Sequence, residues 1–414
     1  MATSATDKQS TEPFTAPLAA DQRVASIDIL RGFAIFGILV ENMLFFGGPL
    51  SQWHLPEPWW PAPLDQAVNF AIRWLEEGKF YGLFSFVFGL GVALQIRRVE
   101  NTGGQFVPLF ARRLLTLLTI GLAHAFLFWW GDILTAFAVL GFALLGFRRV
   151  SDRVLLTWVL ILWLAPVLMV LALVGAAELI LPESTSAPAT ESVLLEAAHL
   201  SVARYGAGSL TDIFSQRWFD LQRAWNGTTY NSPKIFLMML LGLYAGRRGI
   251  LQQPDNHPRL WRALLWGALP LGLLAHLGHA MTTGGESLPR LVVNIALFTL
   301  GLPLATLGYI AAFVSALRRP AVQRLLQPLA AVGQMSLSNY LLQTLVCTTL
   351  FYSYGFGLYG KVSPAVGLLP TILLYAGQVA GSNWWLGRFR FGPVEWVWRC
   401  ATYAQWQRLR RHTV

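Results

Sequence analysis

Charged side chains and cysteines are scarce in this chain of 414 residues. Only 13% of its residues are charged, 55% are hydrophobic and the mean hydropathy is +0.49, which excludes an ordinary soluble globular domain. The two cysteines, Cys347 in an apolar run and Cys400 near the end, do not have the spacing of a disulfide framework. No cluster of histidine, cysteine and carboxylate has metal-ligand spacing, so we expect no metal site.

Long apolar runs make up most of the chain. A helix needs about 20 apolar residues to cross the hydrocarbon core of a bilayer. The sequence therefore predicts an all-α transmembrane bundle of about ten spans within residues 23–386, of which the fourth and sixth are short for a full crossing. The apolar runs lie near residues 27–46, 79–96, 114–130, 133–147, 154–181, 234–246, 261–280, 291–317, 335–353 and 365–386.

Arginine-rich loops alternate with arginine-poor loops between these runs. The positive-inside rule places the arginine-rich loops in the cytoplasm, so both termini are expected there. Because the net charge of +10 sits in these short loops, nucleic acid is not an expected partner. The basic loops and the tail carry Arg97, Arg98, Arg112, Arg113, Arg148, Arg149, Arg153, Arg247, Arg248, Arg259, Arg262, Arg318, Arg319, Arg324, Arg388, Arg390, Arg399, Arg408, Arg410 and Arg411. The alternate loops carry Glu57, Asp65, Glu76, Glu77, Asp132, Glu183, Glu191, Glu196 and Glu286.

Three segments are predicted to lie outside the membrane. Residues 1–22 are polar and lack the apolar centre of a signal peptide, so we expect a disordered cytoplasmic arm. Residues 387–414 form a basic cytoplasmic tail, and residues 183–233 form a long outer insertion that opens with a linker-like stretch at 182–190. Apolar side chains then recur at helical spacing and predict a helix in the outer interface, with a packing role or a substrate-facing role: Leu210, Ile213, Phe214, Trp218, Leu221 and Trp225.

Polar side chains inside the apolar runs fall at two depths. Each such group is costly in hydrocarbon and therefore needs a structural or functional reason. Two depths within one bundle are what a pathway or a site for two substrates requires. The outer set is Glu41, Asn42, His124, Asp132, His276, His279 and Asn294. The inner set is Asp28, Arg31, Asn339, Gln343, Gln378, Asn383 and Arg388.

His124 is the strongest candidate for chemistry in these sets. It is either a hydrogen-bonding partner between helices or a general base oriented by a carboxylate, Asp132 or Glu41, since neutral imidazole suits proton abstraction near neutral pH. For His276 and His279 we expect a solvated position near the outer interface.

Asp28 and Arg31 stand three residues apart at the start of the first span. They form an interfacial ion pair or contribute to a binding site. In the second span, Ser85 and Gly89 have the small-x-x-x-small spacing of close helix packing.

Two blocks near the C-terminus resemble the signature of the YeiB-like family of bacterial inner-membrane proteins. They are residues 333–343 (GQMSLSNYLLQ) and 387–399 (GRFRFGPVEWVWR). Residues 23–42, 79–85 and 124–134 are also similar, so the resemblance runs from about 23 to 406, and the C-terminal region begins at about 233. The Asp-x-x-Arg-Gly opening of the first span resembles that of membrane acyltransferases of the heparan-α-glucosaminide N-acetyltransferase and acyltransferase-3 types. The resemblance implies an acyltransferase-like bundle in the bacterial cytoplasmic membrane.

Three functions remain open from the sequence. The first is acyl transfer from cytoplasmic acyl-CoA to an extracytoplasmic small-molecule, glycan or lipid acceptor. In that hypothesis His124 is the base, Glu41 or Asp132 orients it, and the residues expected at the acyl-CoA site are Asp28, Arg31, Asn339, Gln343 and Arg388. The second is proton-coupled transport, with Glu41 and His124 as a proton relay. The third is a non-catalytic sensor or assembly factor in the bilayer; small-residue faces also permit a homodimer.

Overall fold

A computed structural model describes residues 25–53, 55, 57–101, 104–180, 188–283 and 288–411. Within these ranges the chain is all-α, and the one β pairing is an isolated bridge between Phe389 and Arg410. The arm predicted at 1–22, most of the linker-like stretch at 182–190, and Glu183 and Glu286 lie outside the described residues. The helices are α1 (Ala25–Gly47), α2 (Pro63–Leu75), α3 (Lys79–Asn101), α4 (Phe106–Leu127), α5 (Leu134–Gly146), α6 (Asp152–Ile180), α7 (Pro188–Ala207), α8 (Leu210–Arg248), α9 (Pro258–Ala263), α10 (Leu269–Thr282), α11 (Leu288–Leu317), α12 (Pro320–Leu326), α13 (Leu329–Gln334), α14 (Ser336–Phe351), α15 (Pro364–Arg388) and α16 (Pro393–Tyr403).

Seven helical stretches in the described part of the chain are long and apolar enough to cross a membrane. The chain is therefore an all-α integral membrane protein, as predicted. Each of the ten apolar runs overlaps at least one described helix, but three of them are outside this set of seven: α5 with 13 residues, α14 with 16 residues, and the apolar half of α8. The count of ten crossings stays a prediction. The seven stretches are Ser26–Gly47, Pro63–Asn101, Phe106–Leu127, Asp152–Gly175, Pro258–Thr282, Leu288–Leu317 and Pro364–Arg388.

Arginine-bearing loops meet at one end of the bundle, which we call the arginine face. Arg247 donates hydrogen bonds to the carbonyl oxygens of Val150 at 2.8 Å and of Phe147. Arg248 forms an ion pair with Asp152 at 2.6 Å between Nη2 and Oδ2. These contacts use arginine to satisfy carbonyl groups left unpaired between helices, so the basic loops also hold the helix ends together.

Helices α3 and α8 pack closely against each other. A Cβ atom at Gly89 would lie 1.9 Å from the Met239 carbonyl oxygen, and one at Gly242 would lie 1.9 Å from the Phe86 carbonyl oxygen. Only glycine permits such an approach of two backbones. The close packing predicted for the second span is thus confirmed, and it buries the apolar half of α8.

The long insertion differs from the prediction in how its helix faces the protein. The interfacial helix expected over 210–225 and the sixth apolar run form one 39-residue helix, α8. Its Arg217 is buried and donates a hydrogen bond of 2.7 Å to the carbonyl oxygen of Leu127, whereas Phe214 and Trp218 are exposed. The buried face is mixed, since Ile213 and Leu221 are buried as well, and Arg217 lies inward because it satisfies carbonyls that the end of α4 leaves unpaired.

The two C-terminal signature blocks are joined by one carboxylate. Glu395 of α16 accepts hydrogen bonds from the backbone N–H groups of Leu337 at 2.8 Å and Ser338 at 3.0 Å, at the start of α14. Trp398 donates to the carbonyl oxygen of Arg113 at 2.8 Å, which ties α16 to α4. Burial raises the pKa of the Glu395 carboxyl, although its hydrogen bonds oppose that shift. The second block therefore caps α14 at the arginine face.

Candidate functional site

His124 and Asp132 form a buried dyad at the end of α4 farthest from the arginine face. His124 Nδ1 lies 2.8 Å from Asp132 Oδ2, and both side chains are 1% exposed. The turn after α4 folds back, so the Asp132 carboxylate lies against the end of α4. Asp132 Oδ1 also accepts a hydrogen bond of 2.7 Å from the Thr135 backbone N–H, so the same residue caps the start of α5.

The other ring nitrogen of His124 faces α14. His124 Nε2 lies 2.9 Å from Thr344 Oγ1, and the Tyr340 ring centroid lies 5.2 Å from that of His124. A carboxylate only accepts hydrogen bonds, so Asp132 favours the tautomer with hydrogen on Nδ1 and leaves Nε2 as an acceptor. This is the arrangement of a general base held by a carboxylate.

A cavity of about 150 Å³ lies on the arginine side of the dyad. We call it the basic cavity, because three arginines and one carboxylate line it: Arg31, Arg113, Arg399 and Glu395. Glu395 already accepts hydrogen bonds from two backbone N–H groups at the start of α14, and these partly offset its negative charge. The guanidinium groups repel one another, and an anion in the cavity would relieve that repulsion.

The inner end of the basic cavity is apolar and reaches Tyr340. Ile35, Ile38 and Phe137 line it together with the Tyr340 ring. Tyr340 donates a hydrogen bond of 3.1 Å from its hydroxyl to the carbonyl oxygen of Gly131, in the turn that carries Asp132. The Tyr340 ring therefore lies beside both the basic cavity and His124.

A second, larger cavity of about 1000 Å³ reaches His124 from the side of the bundle. We call it the lateral groove. It lies between α4, α14, α15 and α16, and His124 is part of its lining. Most of the lining is apolar, and side chains such as Leu345, Leu373 and Trp384 are exposed on the outside of the bundle. In a membrane these side chains face lipid.

An aromatic cap covers the dyad on the face opposite the arginines. Trp129, directly after α4, stacks on Phe46 with ring centroids 4.1 Å apart, and Tyr205 of α7 stacks on Tyr352 at 4.5 Å. These four side chains and Trp130 are buried. The cap therefore closes the most direct path between the dyad and that face.

Glu41 does not lie with His124, although the sequence offered it as an orienting carboxylate. It lies beside the Gly78 backbone and is influenced by the charges of Glu77 and Lys79. That neighbourhood is held by α2, α3 and α10, whereas His124 belongs to α4. Asp132 is the carboxylate that the structure brings to His124.

Around Glu41 lies a second histidine cluster, which we define as Glu77, Lys79, His276 and His279. Lys79 Nζ lies 2.8 Å from His276 Nδ1, and His279 Nε2 lies 3.3 Å from Glu77 Oε2. The expectation that these histidines are solvated was wrong, because His276 is 0% and His279 6% exposed. Their burial follows from the packing of α10 on α11, which covers that face.

The inner set also separates. Arg31 lines the basic cavity and also forms an ion pair with Asp28 at 3.5 Å, so Arg31 has both of the positions that the sequence left open. Asp28 is not among the residues that line this cavity. Arg388 is instead exposed and stacks on Trp384, with its guanidinium 4.5 Å from the ring centroid. Arg388 therefore does not reach the basic cavity.

Asn339 and Gln343 belong to an amide network between α14 and α15, not to the basic cavity. Asn339 donates to Ser382 Oγ at 3.0 Å, and Gln343 donates to Gln378 Oε1 at 2.8 Å. Such pairs fix one helix against another in hydrocarbon. Asn339 also lines the lateral groove.

Four residues of the site were missed as candidates: Tyr340, Thr344, Arg113 and Arg399. Tyr340 and Thr344 stand four apart on α14, directly after Asn339 and Gln343, and the same helical spacing applied to them would have found that face. The two arginines were counted only as loop and tail charges.

Comparisons with known proteins give relatives along the whole chain. The family model described as "Protein of unknown function (DUF418)" matches residues 245–405. YxaH of Bacillus subtilis (strain 168) is 37% identical over 413 residues, which cover 96% of this chain and 98% of the relative. YeiB of Escherichia coli (strain K12) is 29% identical and covers 92% of this chain and 96% of the relative. The names of these relatives assign them no activity.

Proposed function

The chain belongs to the YeiB-like family, and from that premise we propose that it transfers an acyl group from cytoplasmic acyl-CoA to an acceptor that reaches the dyad from the membrane or beyond it. The observation that carries this proposal is the position of the His124–Asp132 dyad between the basic cavity and the lateral groove. The basic cavity suits an anionic donor, and the lateral groove suits an acceptor.

The orientation follows from the arginines. By the positive-inside rule the arginine face is cytoplasmic, so the basic cavity opens to the compartment that supplies acyl-CoA. Relatives in Bacillus subtilis and Escherichia coli support a bacterial cytoplasmic membrane as the location.

Donor binding is assigned to the arginines of the basic cavity. Guanidinium groups bind phosphate oxygens with charge-assisted, often bidentate hydrogen bonds, and Arg31, Arg113 and Arg399 surround one space. The apolar inner end, at Ile35 and Ile38, would take the thioester arm toward Tyr340.

The dyad supplies the proton transfer. His124 Nε2 would remove the proton from the acceptor hydroxyl or amine as that atom attacks the thioester carbonyl, and Asp132 would stabilise the imidazolium. The carbon–sulfur bond breaks, an ester or amide bond forms, and the CoA thiolate receives the proton from His124. Thr344 would release Nε2 when the acceptor binds.

Calorimetric titration of acetyl-CoA, with longer acyl-CoAs alongside, into the detergent-purified protein tests donor binding. We expect saturable binding that weakens by about tenfold or more in Arg31→Ala, the loss typical of one charge-assisted hydrogen bond. Arg388→Ala is the matched control, because this arginine is on the same side but outside the cavity. No binding by a folded sample, or equal binding by Arg31→Ala, contradicts the proposal.

Proton-coupled transport is the second candidate, and one observation favours it. Glu76, beside the second histidine cluster, is buried, and neither of its carboxylate oxygens has a hydrogen-bond partner among the described residues. Buried acids in membrane proteins often carry protons. Flux driven by a pH gradient in proteoliposomes, without dependence on CoA and lost in Glu76→Gln, would favour transport over acyl transfer.

A further inference from the structure

We propose that the acceptor is a membrane lipid whose head group carries a hydroxyl or amine, and that it reaches His124 through the lateral groove. This inference rests on the proposed acyl transfer and names its acceptor. Three observations support it: the place of the groove, the closed cap above the dyad, and the free space beside two glycines of α15.

The groove lies at the depth of the hydrocarbon. Its walls include α4 and α15, both long and apolar enough to cross a membrane, so what surrounds its open side is lipid. Its volume of about 1000 Å³ is sufficient for a hydrocarbon chain, most of its lining is apolar, and leucine is the most frequent residue there. A water-soluble sugar would have to lose its hydration to lie there.

The polar side chains of the groove include the proposed base. His124 contributes to the lining at the end of α4, and Asn339, Gln378 and Ser382 lie along the α14 and α15 walls, where hydrogen bonds within the amide network already engage them. A lipid with its chain along the leucines would present its head group to His124. The acceptor proton would pass to Nε2, while the new bond forms to the acyl carbon and the thiolate leaves.

The alternative route from the far face is closed. Trp129 is buried and stacked on Phe46, and Tyr205 is buried and stacked on Tyr352. A soluble acceptor would have to displace this cap. A lipid would approach through the opening that the structure already has.

Two glycines keep the groove wide on the α15 side. Gly377 and Gly381 both line it, and a Cβ atom at either position would meet nothing within 4 Å. The backbone at these positions therefore has room for a side chain, and we expect a large one to occupy part of the groove. Gly387 on the same helix also has nothing within 4 Å and does not line the groove, which makes it a matched control.

The test supplies radiolabelled acetyl-CoA to the protein in nanodiscs. One set of nanodiscs contains phosphatidylglycerol and phosphatidylethanolamine, whose heads carry hydroxyl and amine groups. A second set contains phosphatidylcholine, whose head has neither, and glucosamine is added to it as a soluble acceptor. Label is measured in the chloroform-extracted lipid and in the aqueous acceptor. Acetyl-CoA binding is measured separately on every variant, which also checks that each one folds.

We expect label in the lipid of the first set. It should fall by about tenfold or more in Gly377→Phe and Gly381→Phe and stay unchanged in Gly387→Phe, with acetyl-CoA binding equal in all three variants. Label in glucosamine alone overturns the lipid acceptor and leaves acyl transfer in place. If lipid labelling by Gly377→Phe and Gly381→Phe equals that of the unmodified protein, the groove is not the route. Absence of acetyl-CoA binding by the unmodified protein overturns the proposed function, and the lipid acceptor with it.

Discussion

Two centres among the described residues join a buried histidine to a carboxylate, and they differ in what surrounds them. His124 lines the lateral groove, and the Tyr340 ring beside it lines the basic cavity. The second histidine cluster has similar residue types, with His279 3.3 Å from Glu77, but lines neither of these cavities. In this cluster a lysine ammonium group also occupies the position next to His276 Nδ1.

Residue type alone therefore does not distinguish the two centres, whereas their contacts do. At the first centre, a carboxylate favours one tautomer and the other ring nitrogen faces the hydroxyl of Thr344. At the second, the side chains bind one another across α2, α3 and α10. We therefore expect the first centre to determine turnover and the second to determine stability.

The largest expected effect is a loss of turnover on changing the first centre but not the second. His124→Gln should lower the turnover number by about 10²–10⁴-fold, the usual contribution of a general base, while acetyl-CoA still binds. His279→Gln is the control and should retain turnover per folded molecule. Release of CoA, followed with a thiol reagent, measures both. An equal loss in the two variants would end the distinction between the centres.

The next effect concerns stability. Lys79 is 0% exposed and bonds to carbonyl oxygens of Arg73 and Glu77 as well as to His276. Lys79→Met should destabilise the protein by about 3–5 kcal/mol, because it leaves buried partners unpaired. Thermal unfolding in detergent measures this. Lys361→Met, at an exposed lysine with one bond to a carbonyl, should change stability little.

A smaller effect tests how the first centre is supported. Glu395→Gln replaces the charged acceptor at the start of α14, the helix that carries Tyr340 and Thr344. We expect a loss of about 1–2 kcal/mol in stability, together with a fall in turnover if α14 shifts. Thermal unfolding and CoA release report the two effects. Unchanged stability would show that the cap contributes nothing to the position of α14.

The smallest effect is a pH dependence of the free energy of unfolding, which arises from Asp220 at the contact between α7 and α8. Burial raises the pKa of Asp220 to about 6, against the opposing hydrogen bonds from Tyr205 and Gln216. This pKa lies above that of the unfolded chain, so the folded state binds the proton more tightly and loses stability as pH rises through about 6. From pH 5 to pH 7 the loss should be about 1 kcal/mol. Asp220→Asn should flatten that part of the unfolding profile; an unchanged slope contradicts the assignment.

The dyad could be predicted from the sequence because His124 and Asp132 are eight residues apart across a single turn. Helix periodicity and that spacing place them together without any knowledge of the rest of the fold. The ten apolar runs were recognisable for a similar reason, since hydropathy is a local property.

The remaining contacts could not be predicted because they join distant parts of the chain. Arg113 meets Arg399 only through the packing of α16 on α4, across about 285 residues. The depth of Glu41 in the bilayer does not identify its neighbours, because side chains of many helices lie at that depth. The sequence therefore could not show that Glu41 lies near Glu77 and not near His124. The burial of Arg217 on α8 depends on the carbonyls at the end of α4, a partner that no periodicity identifies.

The single ring of Tyr340 has a consequence for the electrical insulation of the membrane. A cavity open to an aqueous phase and a groove within the bilayer approach each other there, so this ring belongs to the barrier that keeps ions from crossing. A smaller side chain at position 340 would thin that barrier. In the proposed acyl transfer, donor and acceptor must meet beside this ring while the membrane potential is kept, so the ring serves both requirements.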